Sequence, residues 1–382
     1  VSVHPPLSPG MAVLDIDLAA LTHNTATLRA RVGRPLMAVV KADGYGHGIV
    51  ESARAALAGG ADALGVTILD EARTLRGAGI EARVLSWLHT PGTDFAWALG
   101  AGVELGVSTI EALEAIADAG DGGVVHLKID TGLGRAGCPP DQWPALVARA
   151  AELESARRVR IAGVWSHFAF ADAPGHPTVQ AQITALHEAA EVARASGLDG
   201  FALHIANSAA SLTDPGAWCD MVRPGVSLYG LDPMGGDPSE YDLWPAMRAS
   251  ARVLMVKEVP AGTGVSYGLT YTTSRATRLA VVPVGYADGI PRAASGRAPV
   301  TIDGVRYPIA GRVCMDQFVV DVGDADVHAG DEVVLWGDAA YDEPTAQEWA
   351  DAAGTIHYEI VARAGGRFAR RHHNDLRGRA HG

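Results

Sequence analysis

From about residue 36 to 230, short apolar runs rich in β-branched residues alternate with Ala-rich stretches whose apolar positions recur at helical spacing. The runs Leu36–Lys41, Ala63–Val66, Arg83–Trp87, Val103–Val107, Val124–Asp130, Ile161–Phe168, Phe201–Ala206 and Met221–Tyr229 read as strands. Several are apolar throughout, the pattern of a parallel sheet covered on both faces. Helices are predicted between them, at Ile49–Ala58, Asp70–Ala78, Thr109–Ala119 and Val179–Ser196, and an earlier one at Leu18–Arg31. Eight strands separated by helices predict an α/β fold of the (β/α)8 TIM-barrel type. Near residue 235 the pattern changes. MGGDPSEYDLWP is polar and rich in Gly and Pro, as linkers are, and β-type runs follow at Ala251–Val259, Arg278–Val284, Pro299–Ile302, Phe318–Val322 and Glu332–Trp336. One helix, Thr345–Ala353, interrupts them. The expectation is a barrel domain over 1–238, N-terminal extension included, and a mostly β domain over 239–382.

Composition narrows the function classes. With 382 residues and 48% hydrophobic content the chain can bury two cores. A formal net charge of −13 argues against nucleic-acid or anionic-membrane partners. The three cysteines, Cys138, Cys219 and Cys314, are widely spaced without a CxxC pair, so neither a disulfide framework nor a metal site is expected. VSVHPPLSPG at the start lacks a basic segment followed by an apolar one, and no stretch reaches the roughly 20 apolar residues of a membrane span. The expected location is cytoplasmic. Arg363, Arg367, Arg370, Arg371, Arg377 and Arg379 gather near the C-terminus and read as a solvated, partly frayed tail.

Functional groups of such barrels sit at the C-terminal ends of the strands. Lys41 ends the first predicted strand within AVVKADGYGHG, where burial would lower its pKa and expose the neutral amine that imine chemistry needs. Gly44, Gly46 and Gly48 permit close backbone approach, and Tyr45 can offer a hydroxyl to an anion. That string resembles the lysine motif of the alanine racemase family, whose members carry pyridoxal 5'-phosphate on a barrel followed by a β domain. Further segments extend the resemblance over nearly the full length.

The resemblance implies roles residue by residue. Lys41 would hold the cofactor as a Schiff base and act as one base, the one serving the D-enantiomer. In HLKIDTGLGRAG, Arg135 would reach the cofactor's phenolic oxygen and the substrate, and Lys128 would be either carbamylated, as in some relatives, or salt-bridged to an acidic neighbour. His167 of WSHF would support the catalytic tyrosine and link to an arginine below the ring. In HIANSA, Asn207 and Ser208 would bind the phosphate. Arg223 of MVRPGVSLYG would face the pyridine nitrogen. Arginine keeps its proton, so that nitrogen should stay neutral, a setting that suits prompt reprotonation over transamination. Gly225 and Val226 would lend backbone N–H groups to the phosphate.

Racemisation needs a second base on the opposite face. Tyr267 of GVSYGLTYTT fills that role in the family, supplied by the neighbouring subunit of a homodimer. Met315 and Asp316 of RVCMDQF would meet the substrate, Met315 through its backbone N–H. Tyr358 of TIHYEI would bind the phosphate, and with Tyr286 of VGYADG it would narrow the entrance to small amino acids such as alanine. The implied function is interconversion of L- and D-alanine, supplying D-alanine for peptidoglycan. The same pattern admits a broad-specificity amino-acid racemase with a wider gate. A decarboxylase of this layout would place an acid at the pyridine nitrogen, against Arg223. A non-catalytic cofactor-homeostasis protein on a lone barrel would leave the β domain without use.

Overall fold

The computed structural model describes residues 10–374. Seven parallel strands form one curled sheet in chain order: β2 (Met37–Val39), β3 (Ala63–Val66), β4 (Val84–Ser86), β5 (Val103–Val107), β6 (Gly123–Lys128), β7 (Val159–Trp165) and β8 (Ala202–His204). Helices between consecutive strands cover its outer face. Some of them begin at a capping side chain: Asp94 accepts from the amide of Trp97 and Thr109 from that of Ala112. Every residue of β2, β3, β4 and β5 is buried, which is why these runs read as continuously apolar.

The eighth strand expected over Met221–Tyr229 does not form as a ladder. Val222 makes a single parallel bridge to Leu36, with Val222 donating to Pro35 and Met37 donating back to Val222. On its other side Asp220 donates to Leu203 and Arg223 to Ala206. The segment therefore joins β8 to β2 and closes the barrel, but Pro224 has no N–H to extend the pairing. Residues Val226–Tyr229 turn into a 3-10 helix instead.

Beyond the linker, a six-stranded sheet runs Val305–Pro308, Pro299–Ile302, Glu332–Trp336, Met247–Arg252, β1 (Ala12–Asp17) and Ala369–His373. A three-stranded sheet of Met255–Val259, Thr277–Val282 and Phe318–Gly323 packs with it. The single strand expected over Ala251–Val259 is two strands. The chain changes sheets at Val253, which donates to Asp331, and Leu254, which donates to Val281. β1 was not anticipated. It lies in sequence before the barrel, yet it pairs antiparallel with Met247–Arg252 and parallel with Ala369–His373. Its Leu14 and Ile16 are buried in the second core with Met247 and Ala249.

The basic C-terminal cluster is not a frayed tail where it is described. Arg367 holds the fully buried Asp288 through two nitrogens at 2.7 Å, and Arg370 pairs with Asp43 at 2.8 Å. Arg377 and Arg379 lie outside the described residues, as do the first nine residues of the N-terminal stretch.

Candidate active site at the barrel mouth

Lys41 follows β2 after one residue, Val40, and opens a tight turn in which Ala42, Asp43, Gly44 and Tyr45 all adopt left-handed backbone, with φ between 52° and 62°. For the three that are not glycine this costs roughly 1–2 kcal/mol each. Other bonds hold the turn in place. Glu71 accepts from the Ala42 amide at 2.7 Å, the Asp43 carboxylate accepts from Ile49 at 2.9 Å, and Arg370 pairs with Asp43. Such strain at a functional turn fixes where the lysine and the tyrosine point. Burial pushes the Lys41 ammonium below its ordinary value, and the Arg135 charge adds to that.

Tyr45 is buried, and its phenol is pushed well up by burial, so it stays a hydroxyl. Its ring lies 5.0 Å from that of Tyr229 and 6.4 Å from that of Tyr358, whose phenol burial also raises. The hydroxyl sits against Gly225, where any added Cβ would overlap it. Beside them the Ser208 Oγ accepts from the amides of Gly225 at 2.8 Å and Ser227 at 3.3 Å. The Gly225 N–H, expected to reach a phosphate, here donates to Ser208. With its lone pairs so used, the Ser208 hydroxyl is left to donate its proton. The Asn207 side chain caps the helix Ser208–Thr213 by accepting from Ala210. Val226 is buried next to this cradle.

Arg223 is buried with its guanidinium 4.8 Å from the Trp165 ring. One terminal nitrogen donates to His204 Nδ1 at 3.0 Å and the other to the Ser166 carbonyl at 2.9 Å. The expected link from His167 to Arg223 is not formed among the described residues; the partner is His204, at the end of β8. Lys128 makes no ion pair among the described residues. Its Nζ stands 4.5 Å from the Trp165 ring, and burial with the neighbouring arginines brings its pKa to about 8. Arg135 is exposed on a loop that Asp130 organises by accepting from Gly132, Leu133 and Gly134. Burial, then the charges of Arg223, Arg135, Lys128 and Lys41, hold the His167 imidazole well below its ordinary value and keep it neutral. Four cations thus converge on one mouth, with Glu71 and Asp130 as the acidic groups felt by Lys41 and Lys128. A polyanionic ligand is what such a charge balance favours.

The other expected residues lie elsewhere. Tyr267 is 71% exposed, Met315 53% and Tyr286 38%, all on the β part. Their loops are tied together. Tyr286 and Ala287 donate to the carbonyls of Cys314 and Met315, and Arg367 bridges Asp288 to Asp316. No hydrogen bond or ring contact among the described residues joins this group to Lys41, Tyr45, Ser208 or Arg223. A cleft between the linker and the β part, lined by Asp232, Trp244, Gln347 and His357 among others, is lined by none of the expected residues.

Two polar residues inside the barrel escaped the sequence reading. Glu104 lies in the apolar run VELGV and His126 in VVHLK, and both are buried. A lone carboxylate within a buried strand must be paired, and that was the signal available.

One pH dependence follows from His47 of the lysine motif. Its Nδ1 lies 3.0 and 2.9 Å from the carbonyls of Gly44 and Tyr45, and its buried Nε2 has no partner among the described residues. Protonating Nε2 would bury a charge without an acceptor, so burial lowers the pKa from 6.5 to about 4. The unfolded chain takes the proton first. Stability is therefore full above the unfolded value and is lost as pH falls from there to the folded one, by on the order of 3 kcal/mol from this residue. Denaturant midpoints should fall across that window, and a His47→Gln variant should show a shallower fall.

Comparison with known proteins bears on the whole chain. Residues 16–233 match the family model "Alanine racemase, N-terminal domain", and residues 246–372 match "Alanine racemase, C-terminal domain". A Frankia casuarinae alanine racemase is 55% identical over 364 residues, covering 94% of this chain and 95% of its own. One from Salinispora tropica is 52% identical over 358 residues, covering 93% and 96%. Among solved structures, the alanine racemase of a D-cycloserine-producing Streptomyces lavendulae superposes with a TM-score of 0.95 at 47% identity, covering 97% of this chain and 99% of that one. The Bacillus anthracis alanine racemase, solved with bound L-Ala-P, superposes at 0.88 with 33% identity, covering 97% of each chain.

Proposed function

The chain belongs to the alanine racemase family, and from that premise we propose that it interconverts L- and D-alanine with pyridoxal phosphate, using Lys41 and a partner subunit's copy of Tyr267 as opposed bases. The observation that carries this is the convergence of Lys41, Lys128, Arg135 and Arg223 beside the hydroxyl cradle of Tyr45, Ser208 and Tyr358. Pyridoxal phosphate is a polyanion with an aldehyde, and this mouth offers cations, neutral hydroxyl donors, a glycine that leaves room, and a lysine poised to lose its proton. The residues present fit the group.

When bound, the cofactor supplies the electron sink that acidifies the α-hydrogen of an amino acid. Ser208, Tyr45 and Tyr358 would donate to its phosphate, Asn207 and Val226 would shape that cradle, and Arg135 would steady its phenolic oxygen. Arg223 would stand against the ring nitrogen as a donor that does not give up its proton. Lys41 anchors the cofactor, and its Nζ takes or returns the α-proton on one face. Tyr267 Oη does the same on the other. The backbone N–H of Met315 meets the substrate carboxylate, Asp316, paired with Arg367 at 2.9 Å, lines the same region, and Tyr286 with Tyr358 restricts the entrance to small side chains.

Tyr267, Met315 and Tyr286 are exposed in the single chain, as are Leu269 and Ile356. A second copy seated there completes two composite sites and covers those apolar residues, as a symmetric dimer does. We place the enzyme in the cytoplasm with the task of supplying D-alanine for peptidoglycan, the role that the family implies. No helix among the described residues is long and apolar enough to cross a membrane.

Two measurements check this reading. Gly225→Ala should push the Tyr45 hydroxyl aside and weaken cofactor binding by about tenfold or more, read by titrating pyridoxal phosphate into apoprotein. The composite site is tested by mixing two inactive variants, Lys41→Ala and Tyr267→Phe. Randomly re-paired dimers should regain activity at roughly a quarter of the sites. No regain from confirmed hybrids would place both bases in one subunit.

A further inference from the structure

Behind Arg223, inside the barrel, four polar side chains form one line that the reaction described above does not use. Arg223 Nη1 meets His204 Nδ1 at 3.0 Å, and His204 Nε2 meets His126 Nδ1 at 2.9 Å. His126 Nε2 in turn meets Glu104 Oε2 at 2.8 Å. Arg83 closes the far end with two bonds to the same carboxylate, at 2.7 and 3.1 Å. His126 and His204 stand on β6 and β8 with β7 between them. They can touch because β7 carries Gly163 at that point, where an added Cβ would overlap the His126 ring and crowd His204. The Trp165 ring stacks on His204 at 5.5 Å and keeps its plane fixed.

The two ends of the line dictate its proton arrangement. A guanidinium only donates and a carboxylate only accepts. Each bond between them can form only if both imidazoles are neutral and carry hydrogen on Nε2. A second proton on either ring, or a switched tautomer, would set two donors face to face. The charged groups around the line agree with this. Burial lowers both imidazoles, His126 against the opposing pull of Glu104; Arg83 and Arg160 add to the lowering at His126, and Arg223 and Arg83 at His204, while Glu104, held to about 2 by its bonds to His126 and Arg83 against the effect of burial, stays ionised.

We propose that Glu104 and His126 are positioning residues for racemisation. They lock His204 in the tautomer that accepts from Arg223, and so hold Arg223 with both terminal nitrogens engaged and Nε as its donor without a partner among the described residues. This rests on the reading that Arg223 stands against the cofactor's ring nitrogen. Glu104 also places one negative charge at the end of a line whose other end is a buried cation. Arg223 itself has no carboxylate partner among the described residues, so the charge that offsets it is delivered through two neutral rings. The line cannot pass protons onward, since that would require Arg223 to lose one. It acts as a fixed support.

Nitrogen-15 NMR of histidine-labelled protein, with and without cofactor, reads the tautomers directly. The expected spectrum has His126 and His204 both neutral with hydrogen on Nε2, unchanged across the neutral pH range. A charged ring, or hydrogen on Nδ1 of either, would overturn the proposal whatever any variant does. In the second arm, Glu104→Leu should release the His204 tautomer and lower kcat about tenfold with KM for alanine within about twofold. Glu104→Gln, which still accepts from His126, should recover most of that loss. A folded Glu104→Leu enzyme with wild-type kcat would equally overturn it. The spectrum of cofactor-free protein is independent of whether Lys41 carries the cofactor, so a failure here and a failure of the racemase reading are separable.

Discussion

Tyr267→Phe should lower kcat in both directions by about 10²–10⁴-fold, the usual contribution of a positioned acid–base group, with cofactor affinity unchanged. The substitution removes one oxygen from a side chain that is mostly exposed in the single chain, so folding should not suffer. A phenylalanine keeps the ring that a second copy would cover but cannot hold or deliver a proton. Loss of the proton on one face stops inversion in either direction. Removal of the α-hydrogen by Lys41 should survive, so one enantiomer of alanine should still exchange its α-hydrogen with solvent faster than it racemises. A variant that racemises at the wild-type rate would remove Tyr267 from the mechanism.

Lys41→Ala should have the larger effect. It removes both the anchor and one base, and the rate should fall by more than about 10⁴-fold. The cradle of Tyr45, Ser208 and Tyr358 remains, so pyridoxal phosphate should still bind, now without a covalent link. Borohydride reduction followed by peptide mapping should fix the cofactor on the Lys41 peptide in the wild type and on no peptide in the variant. A small amine added to the variant should restore part of the activity by replacing the lost base. The left-handed turn from Ala42 to Tyr45 is anchored through Glu71, Asp43 and Arg370 rather than through the lysine side chain, so the variant should fold.

The barrel was legible because its strands are buried on both faces and therefore apolar without interruption. Ala63–Val66 and Val103–Val107 end where the runs end. The closing segment was misread for a local reason. MVRPGVSLYG is as apolar as a strand, but Pro224 stops the ladder after one bridge, and the next residues coil into a 3-10 turn. β1 was missed because its partners lie more than 230 residues downstream, and no local pattern announces a strand that joins a distant sheet.

The site shows the same division. The lysine motif announced Lys41 and Tyr45, but the strain of the turn that aims them depends on φ angles that AlaAspGlyTyr does not advertise. His167 was expected at Arg223, where the structure has His204. His204 is the last residue of β8, whereas His167 lies two residues beyond β7, and the apolar runs do not tell which of them meets the arginine. Glu104 and His126 belong to the same class of omission. Each was visible as a polar residue in an apolar run, but their meeting across Gly163 is a property of three adjacent strands.

The central claim is that two bases work from opposite faces. The fate of the α-hydrogen in the first turnover tests it most directly. Alanine of the L form, labelled with deuterium at Cα, should yield D-alanine carrying hydrogen from solvent, because the base that removes the label is not the one that returns a proton. D-Alanine that retains the deuterium would mean that one base serves both faces, and the assignment of Lys41 and Tyr267 as opposed partners would be wrong.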